Sequence, residues 1–140
     1  MRPPSVAIRS TFDIGTDAVE MGVGIHGEPG RRRVPLASAD AITTEMVGEI
    51  VTELYLATGA GCLLLVNGFG ATPLMELYLV VNAARRELAV AGVTIARHLT
   101  GSYVTSLDMA GCSITVTMLD DEMLAPWDAP VHTAALRWGA

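Results

Sequence analysis

The chain has 140 residues, 51% of them hydrophobic and only 17% charged, with a net charge of −6. That length supports one domain with a modest core, and the acidic balance argues against nucleic-acid binding, which needs a basic face. The apolar excess predicts that part of the surface meets another domain or subunit.

Residues 1–11 contain Arg2-Pro3-Pro4 and are expected to form an arm or linker; they lack the apolar stretch of a secretory signal. No apolar run is long enough to span a bilayer, so no membrane association and a cytoplasmic location are expected. From Val19 to Ile25 the sequence reads as a strand containing Gly22 and Gly24, followed by a turn-rich loop over residues 27–37. Ser38 is a plausible helix N-cap, with Asp40 well placed in the first turn. Ile42, Met46, Ile50 and Leu54 recur at helical spacing, flanked by Val47, Val51 and Tyr55, while Thr44, Glu45, Glu49 and Thr52 fall on the other face. This predicts an amphipathic helix of four to five turns that ends at Thr58-Gly59-Ala60-Gly61.

Cys62 to Val66 is a continuous apolar run, the pattern of a buried strand. Asn67-Gly68-Phe69-Gly70 then forms a loop into a second helix, with Thr72 as N-cap and Pro73 as first helical residue. Leu74, Leu77, Tyr78, Val81 and Leu88 form its expected core stripe, Arg85, Arg86 and Glu87 its solvated side, and Gly92 its end. Val93 to Ala96 reads as a strand. So does the segment in which Ile114, Val116 and Met118 alternate with Ser113, Thr115 and Thr117, giving it one polar face. Asp120-Asp121-Glu122 starts a short last helix that Pro126 is expected to stop. Strands alternating with long helices define an α/β domain, and both long helices are expected on one sheet face, which makes two layers.

Several chemistries are closed off by the residues. Gly22, Gly24 and Gly27 have the letters of a dinucleotide fingerprint, but Glu28-Pro29-Gly30 follows where a helix would have to open, so that reading is rejected. The chain contains no lysine, hence no phosphate loop of the Gly-Lys-Ser/Thr kind. His26, His98 and His132 are far apart in sequence, and no metal site is expected. Cys62 and Cys112 are expected to be structural thiols. No Gly-x-Ser-x-Gly elbow for a serine nucleophile occurs. The remaining candidate is His26, isolated between glycines in Met21-Gly22-Val23-Gly24-Ile25-His26-Gly27-Glu28-Pro29-Gly30. Glycines allow close approach of a small ligand, and a neutral imidazole is a nucleophile near neutral pH.

That decapeptide resembles the signature of the substrate-binding subunit of dihydroxyacetone (glycerone) kinases. Four further segments resemble the same family in the same order: Leu65 to Tyr78, Tyr103 to Gly111, Asp120-Asp121-Glu122, and Trp127 to Pro130 running on to Trp138-Gly139. The resemblance starts near Phe12, so residues 12–140 are expected to be the C-terminal domain of such a subunit, with a mixed sheet. Cys112 departs from the family, which more often has a bulky aromatic there.

The resemblance implies that His26 adds to the carbonyl of dihydroxyacetone and holds it as a hemiaminal, with Gly24, Gly27 and Glu28 beside the substrate. Glu28 is read equally as orienting the imidazole or a substrate hydroxyl, or as a plain loop carboxylate. Arg31 to Arg33 are read as a solvated loop, and Asn67 and Asp108 as turn residues that hold loops. The family's general base lies in an N-terminal half without counterpart here. No cofactor is expected on this chain. The phosphoryl group, from ATP or a phosphotransferase system, would come through an all-helical nucleotide-binding partner. A separately encoded N-terminal half and a homodimer are further possible partners. The resemblance thus implies part of a kinase that is inactive alone. The alternative is a non-catalytic module that binds a small ligand or dimerises.

Overall fold

The computed structural model describes residues 13–24, 28–106 and 109–139. The chain divides into two units, Met1–Ser38 and Ala39–Ala140.

The first unit contains an antiparallel hairpin of β1 (Ala18–Met21) and β2 (Arg32–Pro35). The expected strand is therefore shorter than Val19–Ile25, and part of the expected loop is itself a strand. Pairing explains the difference: Glu20 lies opposite Arg33, and Arg33 Nε donates to Glu20 Oε2 at 2.9 Å. Two arginines and a proline read locally as loop, but an edge strand tolerates all three when its partner carries the opposite charge.

The second unit runs α1 (Ala39–Glu53), β3 (Gly61–Gly68), α2 (Leu74–Val90), β4 (Thr94–Gly101), β5 (Cys112–Met118), α3 (Asp121–Asp128), β6 (Val131–His132) and β7 (Arg137–Trp138). β3 is central in the order β4-β3-β5, parallel to β4 and antiparallel to β5, so the sheet is mixed. The expected two-layer α/β arrangement is present. Cys62, Leu64 and Val66 of β3, with Ile114 and Val116 of β5, pack against Leu77, Val81, Ala84 and Leu88 of α2 and Val47 of α1. Leu63 and Thr117, which alternate to the other face, line a groove with Met123, Pro126 and Trp127. Cys62 and Cys112 are free thiols, as expected, and burial raises the pKa of both.

Both long helices end in the same backbone motif with different residues. After α2, Gly92 takes φ +75°, its N–H donates to Ala89 O at 3.0 Å, and Val93 N–H donates to Leu88 O at 2.9 Å. After α1, Tyr55 occupies that left-handed position at φ 49°, with Leu56 N–H donating to Val51 O at 3.3 Å. The helix therefore stops at Glu53, before the expected Thr58–Gly61 signal, and leaves Leu54 and Tyr55 exposed. Its most buried residues are Thr43 and Val47; Met46 and Ile50 pack only partly against the core. Thr44, expected on the solvated side, donates from Oγ1 to Glu87 of α2 at 2.9 Å.

Three further expectations are corrected. Leu74 and Tyr78 are not core residues but are 53% and 51% exposed. β4 extends well past Ala96, because an edge strand accommodates the polar Arg97 and His98 that break the apolar run. Pro126 lies inside α3 and does not stop it: the helix is in its last turn there, so one lost N–H costs little. The closing hairpin β6–β7 was not legible in the sequence. Thr133 sets its turn, with its N–H donating to Leu136 O at 2.9 Å, and Trp138 meets Trp127 edge-to-face at 5.2 Å.

Candidate functional site

The loop bearing the candidate residues joins β1 to β2. Its base is closed by Arg31 N–H donating to Met21 O at 2.8 Å, across from the Met21–Arg32 pair. Gly22 turns the chain out of β1 with φ +72°. Gly24 N–H donates to Glu28 O at 3.3 Å, so the structure brings Gly24 and Glu28 together. A Cβ on Gly24 would collide with the Glu28 carboxylate, and one on Gly30 would stand 2.8 Å from Met21 O. Gly24 and Gly30 thus leave room for close neighbours within the loop. His26 and Gly27, the candidate anchor and its neighbour, lie outside the described residues. Arg32 and Arg33, read as a solvated loop, belong to β2, and Arg33 is held by Glu20.

A second constellation stands at the carboxyl ends of the parallel strands β3 and β4, where open α/β sheets commonly place ligands. Asn67, 2% exposed, donates from Nδ2 to Val104 O at 2.7 Å. Its Oδ1 accepts from Tyr103 N–H at 2.8 Å and Val104 N–H at 2.9 Å. The turn residue expected to hold a loop does so, across 37 residues of sequence. Thr72 was expected to cap α2. Its hydroxyl instead donates to Gly111 O at 3.0 Å and accepts from Gly111 N–H at 2.8 Å, while Pro73 takes the cap position. Ser106, which no sequence signal singled out, donates from Oγ to Phe69 O at 2.8 Å and accepts from Met109 N–H at 2.9 Å. These bonds lock the segment after β3 to the segment before β5 and leave each named hydroxyl satisfied. Their separation in sequence, 36 to 39 residues for the longer ones, is why local reading missed them. Asp108 lies outside the described residues.

Among the described residues, no three His, Cys, Asp or Glu side chains come together as a metal would require. Nor, among them, is any helix long and apolar enough to cross a membrane.

A mixed three-stranded sheet with two helices on one face, preceded by a glycine-rich hairpin loop, defines the class of domain. Residues 4–135 match the family model described as the Dak1 domain, and the chain belongs to that family. It is 43% identical to the Escherichia coli protein named PEP-dependent dihydroxyacetone kinase, dihydroxyacetone-binding subunit DhaK, over 94% of this chain and 44% of that protein. It is 35% identical to the human triokinase/FMN cyclase, over 91% of this chain and 23% of the other. Among solved structures, one titled dihydroxyacetone kinase operon co-activator Dha-DhaQ superimposes with a TM-score of 0.81 at 33% identity, covering 87% of this chain and 38% of that one. The chain spans less than half the length of these relatives.

Proposed function

We propose that this chain is the substrate-anchoring part of a dihydroxyacetone kinase. The observation that carries the reading is the membership of residues 4–135 in the Dak1 family, with 43% identity to a protein named as a dihydroxyacetone-binding subunit. His26 is the anchor. A ring-nitrogen lone pair forms a C–N bond to the carbonyl carbon of dihydroxyacetone. The π pair moves to oxygen, which takes up the proton the ring gives up, and the product is a hemiaminal. Only carbonyl compounds form it, so glycerol is refused, and the held substrate is positioned for phosphoryl transfer. Gly24 and Gly27 give the substrate access, and Glu28 orients the imidazole or a substrate hydroxyl. The β1–β2 hairpin supports this reading, because its loop is closed by Gly24 and Glu28, the neighbours of position 26 in sequence.

This chain binds no nucleotide in this scheme. A helical partner delivers the phosphoryl group, from ATP or from a phosphoenolpyruvate-derived carrier, and a separate N-terminal half supplies the base that deprotonates the substrate hydroxyl. The chain alone is an incomplete kinase, at work in the cytoplasm. The 0.81 TM-score to a structure titled as an operon co-activator favours one second reading, a non-catalytic module that binds a small carbonyl compound.

The test is carbon NMR of carbonyl-labelled dihydroxyacetone mixed with this chain and with His26→Ala. The expected outcome is a tetrahedral-carbon signal that needs His26 and weakens as pH falls through the imidazole range near about 6.5, because only the neutral ring adds. A well-dispersed protein spectrum without that signal refutes anchoring by this chain alone. The signal without phosphoryl transfer, after a nucleotide-loaded partner and an N-terminal half are supplied, favours the co-activator-like reading.

A further inference from the structure

The helix α3 is fastened to its surroundings at both ends, yet none of its residues is buried. At its start, Asp120 Oδ1 accepts from Met123 N–H at 2.9 Å, and Leu119 N–H donates to Gly61 O at 3.0 Å, which carries the β3–β5 ladder up to the helix. At its end, Arg97 of β4 donates to both carboxylate oxygens of Asp128, and Trp138 Nε1 donates to Ala129 O at 3.2 Å. A helix pinned in this way does not settle onto the sheet. It forms one wall of a groove of about 650 Å³, whose floor is the cross-strand pair Leu63 and Thr117. That is the size of a small-molecule site and not of a packing defect. The groove also has a direction. Met123 and Trp127 stand about one turn apart on one face of α3, with Pro126 beside them, and make an apolar and aromatic end. Asp120 and Glu122 line the other end, and among the described residues they are its only charged lining. From these carboxylates to Trp127 the helix rises roughly 8–10 Å, at about 1.5 Å per residue.

We infer that this groove binds a small organic cation with an apolar body, its ammonium or guanidinium head at Asp120 and Glu122 and its body over Leu63, Met123 and Trp127. Charge complementarity selects the sign. Two carboxylates without a basic neighbour in the lining repel a fatty acid or a phosphate ester and attract a cation, and the net charge of −6 adds to that field at longer range. The walls select the body. A metal ion gains nothing from apolar and aromatic walls, and among the described residues no cluster of three His, Cys, Asp or Glu exists to hold one. A sugar would leave its hydroxyls unpaired against Leu63 and Met123. The ligand is therefore distinct from the neutral, polar dihydroxyacetone of the proposed function. The groove lies wholly within Ala39–Ala140, whereas the glycine-rich loop belongs to Met1–Ser38.

The probe is phenylbutylamine, with phenylbutanol and phenylpentanoate as analogues in which a hydroxyl or a carboxylate replaces the ammonium. Both tryptophans of the chain report on the groove, Trp127 from its wall and Trp138 through the edge-to-face contact with Trp127. Titrating the full chain with the amine is expected to shift the tryptophan emission and the methyl signal of Met123 saturably. Phenylbutanol should bind about three- to fivefold more weakly, the scale of one exposed ion pair, and phenylpentanoate more weakly still. Glu122→Gln, at an exposed position, should weaken the amine about threefold and leave phenylbutanol unchanged. Thr117→Arg, which places a cation on the floor, should abolish amine binding with unchanged far-UV circular dichroism; should its helical signal be lost, Glu122→Gln decides. Three results overturn the inference: no saturable change with the amine, equal binding of amine and carboxylate, or an amine affinity that Glu122→Gln leaves intact.

Discussion

Tyr55 sits with φ 49° in a position where the second helix of the same chain uses Gly92. The residue is 91% exposed, so no burial compensates for a Cβ in the left-handed region. Tyr55→Gly should therefore stabilise the chain by about 1 kcal/mol, read as a higher urea midpoint with an unchanged slope. Gly92 offers no such gain in reverse, since a Cβ there would stand 2.8 Å from Thr58 Cγ2. The two helix ends show how legible single residues were. Gly92 is a stop signal that anyone can read, whereas Tyr55 carries none, and the apolar periodicity ran on through Leu54 and Tyr55 past the true end. Asn67 was recognised as a loop holder from its neighbours Gly68 and Gly70. Thr72 departs from its expected role, because a threonine before a proline has the same local pattern whether it caps a helix or bonds the segment before β5, 39 residues away. At the candidate site, the glycines and the resemblance single out His26, which lies outside the described residues, while the bond between Gly24 and Glu28 carried no local signal.

At the level of elements, periodicity located α1, β3, α2 and β5, the pieces whose side chains make the core. It failed on β2, β6 and β7, strands of two to four residues whose existence depends on a partner and not on their own composition. It also placed Leu74 and Tyr78 inside, because apolar residues on neighbouring faces of one helix do not announce which face the sheet takes. Polar contacts between elements were equally silent. Arg97 of β4 grips Asp128 at the end of α3 through two bonds, Nε to Oδ1 at 2.7 Å and Nη2 to Oδ2 at 2.6 Å. The hydrogen bond from Arg97 chiefly lowers the Asp128 pKa below its ordinary 3.8. A depressed carboxylate pKa contributes stability that is present above 3.8 and is lost as pH falls through the folded value. The pair is solvent-exposed, so the effect is small and confined to that acid window. Asp128→Asn is expected to lower the urea midpoint modestly at neutral pH. Its midpoint should converge with that of the native chain once the pH is well below the carboxylate range. A deficit that persists unchanged into acid would mean that Asp128 acts through packing of α3 and not through charge.

Across the described residues, the main buried apolar cluster belongs to one of the two units, while the first unit contributes buried Met21. Every residue of the buried cluster, from Val47 to Val116, lies within Ala39–Ala140. The polar web of Asn67, Thr72 and Ser106 lies there too, and so does the Arg97–Asp128 clamp. The glycine-rich loop proposed to hold substrate belongs to the other unit, on a hairpin too short to be stable as an isolated pair of strands. The main buried cluster and the loop proposed to hold substrate thus belong to different parts of the sequence. Residues 39–140 expressed alone should keep the helical far-UV spectrum and a single cooperative urea transition. The denaturant slope should fall only as the smaller buried area requires. Leu64→Ala, at a side chain with no exposure in the centre of β3, should cost the fragment and the full chain alike about 2–5 kcal/mol. A fragment that binds a hydrophobic dye and melts without a cooperative transition would show instead that residues 1–38 complete the core. Substrate anchoring could then not be altered at the hairpin without loosening the sheet.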